Sequence, residues 1–282
     1  MNVQLRQLEA LVAVADAGTF TDAAASLGLS QAAVSRAVAA LETALGVRLL
    51  ERTTRHVSPT ATGARVLPAA RRVLAEVAHL ERTVTRPAEL RIGYAWAALG
   101  KHTRRLQRAW AAAHPDVPLV FVQSATATAG LGEGLADVAV IRRPIDDARF
   151  ATTLIGTEAR LAAVATDNAL ARRRSVRMAD LARYTVALDS RTGTTTPQLW
   201  PPGATPASTR ESHGVDEWLT LIAAGQAVGV TSEATANQNP RPGVAYRAVR
   251  DAPPIEVRLA WWRDDPPSRL GELVTLARAA YA

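Results

Sequence analysis

The sequence predicts an α/β chain in three parts: an N-terminal winged helix-turn-helix, a long single helix, and a C-terminal region of alternating strands and helices. Three observations carry this. Residues 19–46, TFTDAAASLGLSQAAVSRAVAALETALG, read as two short helices around a tight turn. Leu67, Ala70, Leu74, Val77 and Val84 then recur at three- and four-residue spacing along one helix face. From residue 88 onward, short apolar runs alternate with helical stretches in the order of a parallel sheet.

Taken in order, Leu5 to Ala17 carries Leu5, Leu8, Leu11, Val12 and Ala15 on one side, a supporting first helix. Thr19 caps the next helix, with Asp22 three residues on, and Gly28 sits where the exit needs a positive φ. Ser30 caps the helix that Gly46 closes. On it Val34, Val38, Leu41 and Leu45 share a buried face, while Gln31, Ser35 and Arg36 lie opposite near its N-terminus. An apolar back with a small, hydrogen-bonding front suits the DNA major groove, although an ordinary helical hairpin has the same pattern. Residues 47–52 and 56–58 read as two strands around a polar turn, a wing whose Arg52 and Arg55 reach phosphates or a minor groove. Thr60 caps a helix running to about Val84. Its apolar stripe needs a partner, most simply a second copy, and Pro68 inside it predicts a local kink. Arg86-Pro87 ends the segment as a linker.

Charge supports the same division. The net charge is +7, and Lys101 is the one lysine. Residues 1–35 hold Arg6 against Glu9, Asp16 and Asp22, whereas residues 36–72 hold seven arginines against Glu42 and Glu51, a net of +5. A positive field that starts at the candidate recognition helix fits a phosphate-binding face. At 282 residues there is room for two or three compact units. No run has the length of a membrane-spanning helix, and no secretory pattern opens the chain, so a cytoplasmic protein is expected. The absence of cysteine excludes disulfides, thiol nucleophiles and Cys-ligated metal. His56, His79, His102, His114 and His213 are scattered without an HExxH, so neither metal nor cofactor is expected. No GxSxG elbow or P-loop is present, and Gly130-x-Gly132-x-Gly134 lacks the setting of a dinucleotide fingerprint, so no enzyme is expected.

The first 65 or so residues resemble the DNA-binding domain of LysR-type transcriptional regulators. The likeness is carried by Leu8-Glu9-Ala10-Leu11, the run Gly18 to Ala24, Leu27 to Arg36, Leu41-Glu42, Leu45 to Arg52 and Pro59 to Gly63. It implies DNA contacts from Ser30, Gln31, Ala32, Ser35 and Arg36 on the recognition helix and from Arg52 and Arg55 on the wing. Ala32 departs from the proline or serine frequent at that place. The apolar stripe of the 60–87 helix implies a homodimer, and the resemblance adds a homotetramer joined through the effector domains.

Beyond residue 88 the expected order is a strand at 89–94, a helix at 98–113, a strand at 117–123, a helix through 131–135 and a strand at 136–141. This half is similar to the family's effector-binding domain, which is built like a two-lobed periplasmic binding protein. Its best matches are His114-Pro115-Asp116-Val117, Leu135 to Val140 and Ala223 to Val230. By that reading lobe I covers about 88–156 and 262–282 and lobe II about 157–261. Lobe II would hold strands at 161–165, 184–188 and 228–231, with a helix at 215–224. The strand at 255–262 would return the chain to a closing helix at 269–281. A ligand cleft is expected at the carboxyl ends of the strands. Its candidate liners are Tyr94, Trp96, Ala97, Ser124 and Thr126 from lobe I, and Ser190, Arg191, Thr192, His213 and Thr231 from lobe II. Ala97 stands where many relatives carry a serine or threonine, and Trp96 beside it suits an aromatic or apolar ligand. The function implied is transcriptional regulation of double-stranded promoter DNA, modulated by a small-molecule effector. The alternatives are a two-lobed small-molecule-binding protein or enzyme with an incidental basic N-terminal domain, and a nucleoid-type architectural protein.

Overall fold

The computed structural model describes residues 3–52, 57–85 and 89–282. The chain separates into two units, one over Met1–Arg86 and one over Pro87–Leu131 and Leu135–Ala282.

In the first unit, α1 (Leu5–Ala17), α2 (Phe20–Leu27) and α3 (Gln31–Leu45) precede a short hairpin, β1 (Leu50–Arg52) with β2 (Val57–Pro59), and the helix α4 (Ala61–Thr85). The caps explain the boundaries. Thr19 Oγ1 accepts the Asp22 N–H at 3.1 Å, and Ser30 Oγ accepts the Ala33 N–H at 3.2 Å. Gly28 at φ 64° lets the chain bend by 104° between α2 and α3. Leu8, Leu11, Val14, Phe20, Ala23, Val34, Val38 and Leu41 close one core between the three helices.

The wing is shorter than the expected 47–52 strand, for a local reason. The Glu42 carboxylate accepts the N–H groups of Leu49 (2.7 Å) and Leu50 (3.1 Å), and the Val47 N–H donates to the Glu42 carbonyl. Residues 47–49 are therefore tied to the end of α3 before pairing begins at Leu50↔Pro59. Thr60 joins wing to helix: its N–H donates to Leu49 O and its hydroxyl to Arg48 O, while Oγ1 accepts the Gly63 N–H.

Helix α4 continues unbroken through Pro68, where the Ala64 carbonyl loses its usual donor. Its stripe is not all turned outward, as the periodicity suggested. Leu67 and Ala70 are buried in the first unit's own core and Leu74 packs on it, while Arg71 pairs with Asp16 of α1. The large apolar side chains that α4 leaves exposed, among its described residues, are Val73 (44%) and Leu80 (65%).

The second unit has two lobes. In the first, β3 (Leu90–Tyr94), β4 (Leu119–Gln123), β5 (Val138–Ile141), β6 (Phe150–Glu158) and β13 (Ile255–Trp262) form a sheet in the order β4-β3-β5-β13-β6. Strands β4, β3 and β5 are parallel, as expected, and β13 runs antiparallel to both neighbours. Helices α5 (Thr103–Ala113) and α9 (Leu270–Tyr281) cover it, with Leu106, Trp110, Leu273 and Ala277 buried. Helix α5 is preceded by a 3-10 turn at Gly100–His102, so the helix expected from residue 98 starts late. No helix forms through Leu131–Leu135. Ala129, Gly130 and Gly134 all take positive φ, and the N–H groups of Leu135 and Ala136 both turn back to Gly130 O.

The second lobe contains β7 (Arg160–Ala165), β8 (Ser175–Val176), α6 (Met178–Leu181), β9 (Thr185–Leu188), β10 (Ser208–Glu211), α7 (Val215–Ala223), β11 (Gly229–Ser232), α8 (Glu233–Gln238) and β12 (Val244–Val249). Its sheet order is β11-β7-β12-β8, and the parallel pair β10-β9 attaches through bonds between Val228 and residues 185 and 187. Because β13 pairs along its whole length inside the first sheet, the return crossing lies at residues 250–254. That is earlier than the expected boundary at 261.

Gly63 gives a direct test of the wing junction. A Cβ there would sit 1.9 Å from the Leu49 carbonyl oxygen, on backbone that Glu42 and Thr60 both hold. Gly63→Ala is expected to lower unfolding free energy by about 1–3 kcal/mol in urea denaturation. Unchanged stability would mean that the junction relaxes freely.

Candidate functional site

Two regions concentrate the predicted site residues, one in each unit. On α3, Ser30, Gln31, Ala32 and Arg36 are exposed and Ser35 is half-buried, on the side opposite Val34, Val38 and Leu41. The apolar face is what fixes the polar one outward: turning the helix would expose three side chains that are now fully covered. Arg52 ends β1, with its main chain paired to Val57. Arg55 lies outside the described residues. Glu42, in the sequence a negative charge and part of the Leu41-Glu42 match, is the group that orients the wing on α3.

The second region is a cavity of about 120 Å³ between the two lobes. The structure brings five predicted liners to it: Trp96 and Thr126 from lobe I, and Arg191, Thr192 and Thr231 from lobe II. The other five lie elsewhere. Tyr94 packs edge-on against Phe121 beneath the sheet. Ala97 is buried, and its carbonyl rather than its side chain has a polar role. Ser124 faces the Gly130 turn, the Ser190 side chain stays outside, and His213 pairs with Glu217 in solvent. A strand pattern specifies which residues end the strands, but not how far the following loops fold over the opening.

Trp96 crosses the cleft. Its indole N–H donates to Asp189 Oδ2 at 3.1 Å, and its ring meets Trp218 of α7 edge-on at 5.3 Å. Arg143 adds a second bridge, from Nη1 to the Ser190 carbonyl at 2.7 Å. Burial pushes the Asp189 carboxyl up, but four donors more than offset it: the Thr192 N–H and hydroxyl, the Arg191 N–H and the Trp96 indole. The group is held below the usual carboxylate range and stays charged.

At the inner end lies a pair that the sequence reading missed. Arg142 follows β5 and Glu158 ends β6; their side chains are 10% and 4% exposed. The guanidinium donates to both Glu158 oxygens, at 2.9 and 2.7 Å, and to the carbonyls of Ala97 (2.7 Å) and Ala98 (2.6 Å). The Tyr281 hydroxyl donates to Glu158 at 2.7 Å, and Ser232 also bonds the carboxylate. Burial opposes the charged form of Glu158, yet Arg142 outweighs it and lowers the pKa. Tyr281 is pushed well up, by burial and then by the Glu158 charge. The signal available in the sequence was an arginine set directly after a fully apolar strand. Among the described residues, no group of three or more His, Asp or Glu side chains is placed to hold a metal ion, and no single helix is long and apolar enough to cross a membrane.

The paired charges make a quantitative prediction. Arg142→Met leaves a buried carboxylate uncompensated and is expected to cost about 3–5 kcal/mol, whereas Arg142→Met with Glu158→Leu costs less than that single change. Equal or additive losses in a double-mutant cycle would refute this. The pH dependence has a definite sign. Glu158 titrates lower in the folded protein, so its contribution is complete above the ordinary glutamate value of 4.5 and is lost as pH falls through the lowered one. Glu158→Gln is expected to flatten the acid limb of stability measured by urea unfolding between pH 5 and 3.

Residues 5–64 match the description bacterial regulatory helix-turn-helix protein, lysR family, and residues 85–282 match the LysR substrate binding domain. The HTH-type transcriptional regulator YnfL of Escherichia coli strain K12 is 34% identical over 193 residues, 65% of this chain and 64% of that protein. ShiR of Corynebacterium glutamicum strain R, an HTH-type transcriptional regulator, is 33% identical over 193 residues, 64% of each. Over the curated relatives compared, the match spans 21% to 64% of their own length. The crystal structure of CbnR, a LysR family transcriptional regulator, is 25% identical and superposes with a TM-score of 0.56, covering 98% of this chain and 100% of that one. With both of its units matched in order, the chain belongs to the LysR family of bacterial helix-turn-helix regulatory proteins.

Proposed function

We propose that this protein is a cytoplasmic transcriptional regulator that reads a promoter operator through α3 and changes its DNA affinity when a small molecule occupies the cleft between the lobes. The observation that carries the DNA half is the exposed Ser30–Gln31–Ala32–Arg36 face, held outward by the buried face behind it. Arg36 and Gln31 are the side chains there with the reach and donors for base edges. Ser30, Ala32 and Ser35 give a close fit around them, and Arg52 and Arg55 of the wing serve phosphates.

In the second unit Trp96, Thr126, Arg142, Asp189, Thr192 and Thr231 border one cavity from two lobes. An effector shifts lobe closure only by its difference in affinity for the two states, and contacts from both lobes supply such a difference. The cavity is small, and its lining mixes the hydroxyls of Thr192 and Thr231 and the charges of Asp189 and Arg191 with the apolar Trp96 and Trp218. That favours a compact ligand carrying polar groups beside the aromatic or apolar part that Trp96 and Ala97 suggest.

Footprinting on DNA immediately upstream of the protein's own gene tests the reading and defines the operator. On that operator, Arg36→Ala and Gln31→Ala are each expected to lose about 1–3 kcal/mol of discrimination against random DNA. Intact preference after Arg36→Ala would remove α3 from the interface.

The assembly we propose is a homodimer through the outward face of α4, which places two recognition helices on two half-sites. Leu74 is unsuitable for testing it, because it packs on the first unit's own core. Val73→Glu with Leu80→Glu is expected to give monomers in sedimentation analysis, with weakened operator binding and an unchanged melting profile of the first unit. A dimer that survives both changes would place the contact elsewhere.

A further inference from the structure

The second lobe carries a basic groove that neither the cleft nor the DNA face accounts for. It lies at the sheet edge, where β8 pairs with the end of β12. Its cavity is about 360 Å³, lined by Arg173, Ser175, Val176, Arg177, Asp180 and Arg250. Residues 167–183 hold five arginines, at 172, 173, 174, 177 and 183, against Asp167 and Asp180, a net of +3. All five are exposed, and so is Arg250.

The nearby acids offset this field only in part, since of the groove's guanidinium groups that of Arg173 has an ion-pair partner. Asp180 accepts the Arg177 N–H at 2.9 Å and pairs with Arg173 at 3.0 Å; Asp251 accepts the Met178 N–H at 2.9 Å. The side chains of Arg172, Arg174 and Arg250 meet no partner among the described residues. Like charges gathered around one concavity repel one another unless an anion joins them. Arg173, Arg177 and Arg250 line this groove from the segment before β8, the start of α6 and the end of β12, and of the three Arg173 is paired with Asp180. A phosphoryl group presents three acceptor oxygens in tetrahedral directions, whereas a carboxylate presents two in one plane.

We infer that this groove is a second anion site, which binds the phosphoryl group of a phosphate ester or of a nucleic-acid backbone. It stands apart from α3 in the sequence and does not depend on the operator reading. The exposed run Arg172–Arg174 extends the charge beyond the groove, as a longer phosphodiester would require.

The test uses the full-length protein, the groove variant Arg177→Gln/Arg250→Gln, and the fourfold variant that adds Arg172→Gln and Arg174→Gln. All four positions are exposed, and unchanged far-ultraviolet dichroism checks the fold. The probes are pyrophosphate by calorimetry and a 60-base-pair random duplex by titration at roughly 50 and 200 mM salt, the range over which counterion release is read. If the source is a small phosphoryl ligand, pyrophosphate binds the wild type and at least tenfold more weakly to the groove variant, with duplex binding unaffected. If it is nucleic acid, two lost phosphate contacts shrink the wild-type salt dependence on the duplex by about tenfold over that range in the fourfold variant. Either result supports the site, and the operator preference set by Arg36 is read separately. Loss of neither, or poly-L-glutamate binding as tight as pyrophosphate binding and lost in the same variants, overturns it.

Discussion

The Arg142–Glu158 pair is the fixed point of the second unit. Removing two charges from water costs several kcal/mol each, and the interior returns that only when the remaining donors and acceptors are also satisfied. Here they are, by chain segments far apart in sequence: the 97–98 loop, the end of β5, the end of β6, Ser232 before α8 and Tyr281 at the end of α9. Glu158 is also the last residue of the first sheet before the chain crosses, and it pairs in register with Ile255 where the chain returns. Both crossings therefore leave from one place, and the buried pair determines where that is.

The opposite end of the cavity is built differently. Trp96–Asp189 and Arg143–Ser190 join the lobes through single hydrogen bonds, and the Arg143 side chain is exposed. Near Glu158, by contrast, the lobes approach closely, since a Cβ on Gly100 would lie 2.6 Å from the Cα of Ala234 on α8. A hydrogen bond that water can replace is worth about 0.5–1.5 kcal/mol net. The Arg142–Glu158 pair lies within the first lobe, since both residues flank strands of its sheet, so separation of the lobes leaves that pair intact. The bonds that opening breaks include those of Trp96 and Arg143 and the Ser232 bond to Glu158, while the pair itself holds the rim of the first lobe beside the two crossings.

Much of the first unit could be read from the chain, because its signals are local. Caps at Thr19 and Ser30, the exits at Gly28 and Gly46, and three- and four-residue apolar spacing located three helices to within a residue or so. The wing departs from its predicted bounds where a non-local bond intervenes, since Glu42 takes the N–H groups of Leu49 and Leu50 from across the helix end. The helix predicted through 131–135 does not form, because Gly130 and Gly134 take the positive φ of turns. The wholly exposed edge strand β10 and the six-residue α8 carry too little periodicity to be seen. In the cleft, Trp96 and Thr192 were found because they follow strand ends. Arg142 and Glu158 were not, because nothing local distinguishes a charge destined for the interior from one in solvent. Ala97 was weighed by its missing hydroxyl, while the structure uses its carbonyl.

Helix α4 shows the same limit from another side. The spacing of its stripe predicts an external partner, yet Leu67, Ala70 and Leu74 serve the core of their own unit. At 100° per residue, Val73 and Leu80 fall on a second stripe about 120° away from Leu67 and Leu74. A helix that buries one stripe against α1 cannot turn the other inward without withdrawing Leu67 and Ala70 from the core. The two stripes must then be covered by different neighbours. The first is covered within the chain, and the second, with Leu80 65% exposed, is left for a surface that the first unit does not itself provide.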